Sequence, residues 1–520
     1  MTRRKPTMVS KEDNPLNSDF ETLVEETLTR WHVPGVAVAV MDGPNTYTKG
    51  YGIATLPSTP VTPSTLFYAG STTKAFTAAI MSFLVDDNEK YPQLQWDTPI
   101  NTLIRDDFVL SDEYATTHIT VEDALSHRSG LPGHDSSLGG PGATVKSIVR
   151  DLRHLPMSAE PRTKYQYCNA MFIVASHVIQ TVTGCQLGDL LRDWIWDPLG
   201  MDSTFFDLPS AKSSKEHLAT GYRWLYHEED GGFEDVGWME LDEFSGAGSI
   251  ITNVLDYAKW ARAIFTKTTP LSKSGFEQWF TPRIVLPAAE PFTGFKAYAL
   301  GWSMGVYKGE RFYEHSGSMK GFGAELLIFP DREFAVVCLA NTGGTANFVD
   351  TRLAFHLMDE KLGVEKEERF DFDKGNQAII DNGIHRAANA ASIIYPHLPT
   401  EPLPLTLPLA SYAGTYSHPA YKELVIYVDS SKSSNPPASS ILKADRTRMT
   451  WANTLLFTHV SGNFFVARSK ALVAFGALFD DVYPVEFRID PNGSVGSVGV
   501  TWQDATGQGS MDVIWFSRVA

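Results

Sequence analysis

The sequence predicts an α+β domain followed by an all-β barrel, on three observations. Strand-like apolar runs lie near both ends of the first 360 residues, Val36–Met41 at one end and Ala324–Phe329 and Phe334–Leu339 at the other. The stretch between Leu94 and Leu199 carries helical patterns joined by Gly/Pro loops. Beyond a proline-rich stretch at 387–410, apolar and polar residues alternate to the C-terminus, with turn signals such as Asp490-Pro491-Asn492-Gly493. A sheet assembled from both ends of a segment, with a helical insertion at about 71–245, accounts for the first part. A closed up-and-down barrel accounts for 411–520.

The elements follow in order. Residues 1–17 are polar and read as a disordered tail. Ser18, with Glu21 three residues on, reads as a capping box. Phe20, Leu23, Val24, Leu28 and Trp31 then keep helical spacing up to Pro34-Gly35. Val36–Met41 and Tyr47–Ile53 form a hairpin across Asp42-Gly43. Helical pattern resumes from Ser71 to about Val85. Thr120, with Asp123 in the first turn, starts another helix, and Asn169 to Val182 stops at Gly184. Pro330-Asp331-Arg332 turns between two late strands, and a helix from about Asn347 to Leu362 ends at Gly363. The domain reading is therefore tail 1–17, mixed α and β domain 18–386, linker 387–410 and β domain 411–520, with Ser430–Ser440 a low-complexity loop.

Composition narrows the function. At 43% hydrophobic and 20% charged the chain is ordinary globular material. A net charge of -17 argues against binding phosphate backbones or anionic membrane, both of which need clustered Lys and Arg. Three cysteines, Cys168, Cys185 and Cys338, make neither a disulfide framework nor a metal spacing. No secretory signal or membrane-length apolar run stands out, so a reducing, cytosolic home is the default.

The chemistry rests on a serine. No G-x-S-x-G elbow, H-E-x-x-H, Walker loop or G-x-G-x-x-G occurs. Ser71-Thr72-Thr73-Lys74 places a lysine one helical turn from a hydroxyl, on the same face. Burial can keep that lysine partly neutral, able to take the hydroxyl proton. Ser440-Ile441-Leu442-Lys443 has the same spacing and reads as chance. Tyr167-Cys168-Asn169 adds a phenol able to relay a proton and an amide able to hold lysine and substrate. In His315-Ser316-Gly317-Ser318, Gly317 lets a substrate backbone approach closely. The Ser318 N–H, with that of Ser71, can form an oxyanion hole.

These motifs, in this order, resemble the serine β-lactamase-like family of class C β-lactamases, penicillin-binding D-peptidases, esterases and acyltransferases. Gly35–Val40, Leu125–Pro132, Leu199-Gly200-Met201, Gly246-Ala247-Gly248 ahead of Asp256, Gly301-Trp302 and Leu339-Ala340-Asn341 extend the resemblance over about 18–363. It implies a sheet flanked by helices, with Ser71 as nucleophile, Lys74 and Tyr167 sharing the base work, and Asn169 holding lysine and substrate. His315, Gly317 and Ser318 then line the substrate site. The C-terminal segment looks like the lipocalin-like domain of some family members. Where true β-lactamases carry lysine this chain has His315, mostly neutral at pH 7, which disfavours penicillins. The expected substrate is a small ester, amide or thioester, with water or a second acceptor, and no cofactor or metal. The alternatives are a ligand-binding protein on the same frame, or a cyclase or lyase using the lysine and tyrosine. Among lesser candidates, Tyr222, Trp224, Tyr226, Phe233 and Trp238 read as an acyl-pocket wall or as packing against the barrel. His227–Asp230 reads as a solvated acidic loop, and His127 and Arg128 as ordering the loop before Gly130.

Overall fold

The structure is a computed structural model that describes residues 14–226, 231–269, 271–287, 289–292, 294–429, 441–471, 480–502 and 512–519. Most of the expected tail, the His227–Asp230 loop, Ser440 and the Ser430–Ser440 loop lie outside them. The last residues before the first helix belong to the fold, because Leu16 is buried and Asn17 caps that helix.

The fold is α+β. Among the described residues a nine-stranded antiparallel sheet runs Thr59–Pro60, Asn45–Thr55, Gly35–Asp42, Phe334–Ala340, Phe322–Phe329, Glu310–Met319, Ser303–Tyr307, Lys296–Tyr298, Ile284–Leu286. Strands from the two ends of the segment meet where Val36 pairs with Ala340 and Asp42 with Phe334. The central strand Gly35–Asp42 is buried almost throughout, so it shows no polar alternation. Val36, Val38 and Val40 face helices Ser18–Trp31 and Thr345–Leu362. Ala37, Ala39 and Met41 point to the opposite core, which holds helices Thr73–Asp86, Asn169–Thr183 and Val254–Phe265. The small residues on that face let helix Val254–Phe265 approach the sheet.

Local signals act as their chemistry demands. Thr120 and Asp123 form a reciprocal capping box, and Gly184 and Gly363 end their helices in the left-handed conformation. The first helix departs from expectation. Its cap is Asn17, which accepts from the N–H groups of Asp19 and Phe20, and Ser18 is the first helical residue. Helix Phe372–Ala388 buries only Ile380 and Ala387 and shows little amphipathic pattern. A short helix, Ala390–Ile394, precedes the prolines of the 396–408 stretch. The chain then closes an eight-stranded antiparallel barrel from Gly414–His418 to Ile514–Arg518. Among the described residues no single helix is long and apolar enough to cross a membrane.

Behind the sheet, Glu325 and Asp350 are buried together, Glu325 accepting from Thr351 Oγ1 at 3.3 Å. Burial raises both carboxyl groups above their ordinary range, reinforced at Glu325 by the charge of Glu314 and at Asp350 by that of Glu325. Folded values above the unfolded ones give a contribution that is fully present at acid pH and lost as pH rises through the folded values. Asp350→Asn removes the titrating group and keeps its shape. Thermal unfolding followed against pH should show the variant gaining on wild type as pH rises above the ordinary carboxylate range, where the wild-type folded state still holds its proton and the unfolded chain does not.

Candidate active site

A tight turn delivers Ser71. Gly70–Thr72 forms a single 3-10 turn that feeds helix Thr73–Asp86, and Gly70 has φ 53°, a left-handed conformation. The turn lies against the strand carrying His315, Gly317 and Ser318. A Cβ on Gly317 would fall 2.0 Å from the Ala69 carbonyl oxygen, and one on Gly70 would fall 2.8 Å from the Ser318 nitrogen. Both positions therefore require glycine for this approach.

One helical turn beyond Ser71, Lys74 is fully buried. Its Nζ lies 2.9 Å from Ser71 Oγ, 2.8 Å from Asn169 Oδ1 and 2.7 Å from the Ala247 carbonyl. Desolvation pulls its pKa from 10.5 down to about 7, against the opposing pull of Asp135. On the other side of Ser71 Oγ, the Tyr167 hydroxyl donates at 2.7 Å. Burial raises this phenol well above its ordinary value, so it is neutral at physiological pH. Tyr167 packs at 4.2 Å between ring centroids on His127, whose Nδ1 accepts from the Cys168 N–H at 3.0 Å. His127 thus holds the Tyr167–Cys168 segment, and Cys168 has its side chain in the core. Asn169 opens helix Asn169–Thr183, and its Nδ2 donates to Asp135 Oδ2 at 3.0 Å.

His315 Nδ1 donates to the Ser316 carbonyl at 2.6 Å, because a carbonyl can only accept. Nε2 then accepts from the Tyr298 hydroxyl at 2.8 Å. Burial, reinforced by Lys74, lowers this imidazole to about 3, so it is neutral with both nitrogens occupied. The Gly317 carbonyl accepts from Asn347 Nδ2 at 2.8 Å, and Ser318 pairs with Gly323 across the hairpin.

The structure therefore brings Ser71, Lys74, Tyr167 and Asn169 into one bonded cluster and sets His315, Gly317 and Ser318 on the strand beside it. Sequence reasoning missed Asp135, Tyr298 and the Ala247 carbonyl. Asp135 sits in a loop without a motif, and a carbonyl leaves no side-chain signal. The turn bearing Ala247 is held by Thr77 Oγ1 donating to the Gly246 carbonyl at 2.8 Å and by the Gly246 N–H donating to Ser176 Oγ at 3.0 Å. The aromatic stretch at 222–238 packs on the catalytic frame rather than on the barrel. Trp224 stacks on His32 at 3.9 Å, and Trp238 lies against Tyr68 and Phe322. Among the described residues no group of three or more His, Cys, Asp or Glu is placed to hold a metal ion.

A family model described as Beta-lactamase matches residues 20–357. The chain belongs to the beta-lactamase family. A second model, described as a domain of unknown function (DUF3471), matches residues 398–518. The chain is 46% identical over 519 residues to an unguisins hydrolase of Aspergillus campestris (strain IBT 28561), covering 98% of this chain and 94% of the relative. The octameric penicillin-binding protein homologue from Pyrococcus abyssi has the same fold at 20% identity and a TM-score of 0.59, covering 96% of this chain and 99% of its own. The D-amino acid amidase from Ochrobactrum anthropi SV3 matches at 24% identity and a TM-score of 0.56, covering 67% of this chain and 98% of its own.

On the expectation that the Ser318 N–H serves as an oxyanion donor, Gly317→Ala should lower turnover of an activated ester by about 10²–10³-fold. The new methyl displaces the strand from the Ala69–Ser71 turn and carries the Ser318 N–H with it. Steady-state kinetics should place the loss in kcat, with KM little changed.

Proposed function

We propose that this protein is a serine hydrolase that forms an acyl-enzyme on Ser71, cleaving amides or esters. The observation that carries the reading is that Ser71 Oγ is bonded on one side by Lys74 Nζ and on the other by the Tyr167 hydroxyl. With its pKa near 7, Lys74 is substantially neutral under working conditions, and the neutral amine takes the Ser71 proton. Tyr167, held neutral, is the acid that protonates the leaving group, and the proton on Lys74 later restores it. The N–H groups of Ser71 and Ser318 receive the oxyanion. Water then attacks the acyl carbonyl with the same residues in reverse order. The unguisins hydrolase relative favours hydrolysis over transfer to a second acceptor.

His315 bears on the substrate. A neutral imidazole with both nitrogens engaged offers no cation to a carboxylate beside the scissile bond. The reading therefore favours substrates without a carboxylate at that point and disfavours penicillins.

Intact-protein mass spectrometry after exposure to p-nitrophenyl butyrate tests the proposal. Wild type should gain one acyl group, mapped by digestion to the peptide containing Ser71. No adduct and no turnover with this ester, a peptide ester and a thioester would overturn it. Added alcohols or amines that raise the rate of p-nitrophenol release would mark acyl transfer.

A further inference from the structure

The barrel meets the catalytic domain at several points, among them Lys422 with Asp151 and Trp451 with Phe244, and one of them, the loop from His134 to Gly140, leads directly to the lysine. Strand Ile441–Arg446 ends in a buried arginine. Arg446 Nη2 donates to the Ser136 carbonyl at 2.7 Å, and its guanidinium lies 4.8 Å over the Trp502 ring inside the barrel. Beside it, the Tyr421 hydroxyl is 2.9 Å from His134 Nδ1. The Gly140 N–H donates to the Arg448 carbonyl at 3.0 Å, and the Thr450 N–H to the Leu138 carbonyl at 3.1 Å. Gly139 seats so closely that a Cβ there would fall 2.4 Å from the Thr450 nitrogen. The barrel thus grips the loop by the His134 side chain before Asp135 and by backbone groups of Ser136, Leu138 and Gly140 after it.

Asp135 is the inner end of this arrangement. Its Oδ2 accepts from Asn169 Nδ2 at 3.0 Å, and Asn169 Oδ1 accepts from Lys74 Nζ at 2.8 Å. A carboxylate can only accept, so it forces the NH2 of Asn169 toward itself and the amide oxygen toward Lys74. Turned the other way, Asn169 would aim N–H donors at an amine.

We propose that the barrel is a working part of the active site, with Arg446 and Asp135 acting as positioning residues that hold the Asn169 amide oxygen on Lys74. The proposal rests on the acyl-enzyme reading above. It makes activity depend on a residue of the other domain that touches neither substrate nor reacting atoms. The groups facing Lys74 are Asp135 from the loop, Tyr167 and Cys168 beside Asn169, and His127 and His315 across the cleft. Of these Asp135 is the carboxylate, and its charge holds the lysine pKa up against desolvation. Losing it lets that pKa fall, so the acid limb of the rate profile moves to lower pH.

The test uses full-length protein and single-turnover acylation of Ser71 by p-nitrophenyl butyrate across pH. Asp135→Ala and Arg446→Met should each slow acylation at the pH plateau by about 10²-fold, the scale of a misplacement near 1 Å, with little change in KM. Both should move the acid limb downward. Arg446→Lys, which can still donate to the Ser136 carbonyl, should recover much of the rate. Asp135→Asn should move the limb while keeping most of the plateau rate, since its side-chain oxygen can still accept from Asn169, and it guards against misfolding of the other variants. Wild-type rate and limb in Arg446→Met overturn the coupling to the barrel, and an unmoved limb in Asp135→Asn overturns the role of Asp135. If wild type itself forms no Ser71 adduct, the acyl-enzyme reading falls and the coupling falls with it.

Discussion

Ser71→Ala should leave the protein folded and lower turnover of an activated ester by on the order of 10⁶-fold, the scale seen when a serine nucleophile is removed. The Oγ is the atom to which the Lys74 amine and the Tyr167 hydroxyl both reach. No neighbouring hydroxyl inherits that position. Thr72 donates to the Ala69 carbonyl and meets the Tyr257 hydroxyl, while Thr73 donates to the Gly70 carbonyl. The N–H groups of Ser71 and Ser318 survive the substitution, so a residual acceleration of about 10³-fold over water should remain. Truncation leaves Lys74 and Tyr167 each short of one partner, a cost of about 1–3 kcal/mol in stability. The measurement is p-nitrophenol release beside intact mass, with thermal unfolding as the fold control. Loss of both adduct and turnover supports the nucleophile. Turnover of a substrate without an adduct in Ser71→Ala would favour instead a lyase or cyclase that uses the lysine and tyrosine.

The sequence is most readable where function and local geometry coincide. Ser71 and Lys74 meet because residues three apart share a helix face, and Tyr167 and Asn169 arrive together at the start of one helix. The Thr120 box and the Gly184 and Gly363 stops are equally local, set within a few residues by hydrogen bonds to the helix ends. The first helix shows the resolution of such signals. Asn17 and Ser18 are both good caps, and it is the Asn17 side chain that accepts from the Asp19 and Phe20 N–H groups. The roles of Asp135, Tyr298 and the Ala247 carbonyl were not legible, because each partner is supplied by the tertiary fold and not by a neighbour on the same helix or strand. Helix Phe372–Ala388 escaped because only Ile380 and Ala387 are buried, one face-sharing pair and too few to mark an apolar stripe. The aromatic stretch at 222–238 is visible as a feature, but the packing of Trp238 on Tyr68 and Phe322 joins rings that are far apart in sequence.

Lys74→Met should lower kcat by on the order of 10³–10⁴-fold, the upper range for removing a general base. Methionine is unbranched and of similar length, so it fills the space, but it leaves Asn169 Oδ1 and the Ala247 carbonyl without their donor. The pH profile separates a base from a mere charge. A lysine that must be neutral to act, with a pKa lowered to about 7, makes wild-type activity rise with pH through neutrality. In Lys74→Met the residual activity should lose that limb. Lys74→Arg supplies a second test, because guanidinium keeps the charge and cannot give up its proton at any working pH. An inactive Lys74→Arg assigns proton transfer to the lysine, whereas an active one would assign it an electrostatic role and leave Tyr167 as the base. Stability should move the opposite way to activity. A native pKa below the unfolded one means that the unfolded chain binds more protons between about 7 and 10.5, so wild-type stability rises with pH across that window. The buried lysine is therefore most destabilising at and below neutral pH, where it must be carried into the core charged. Lys74→Met should raise the unfolding temperature at pH 6 more than at pH 9, provided the two orphaned acceptors cost less than the charge they replace. That combination, lost turnover with a pH-dependent gain in stability, is what a core lysine kept for its reactivity requires.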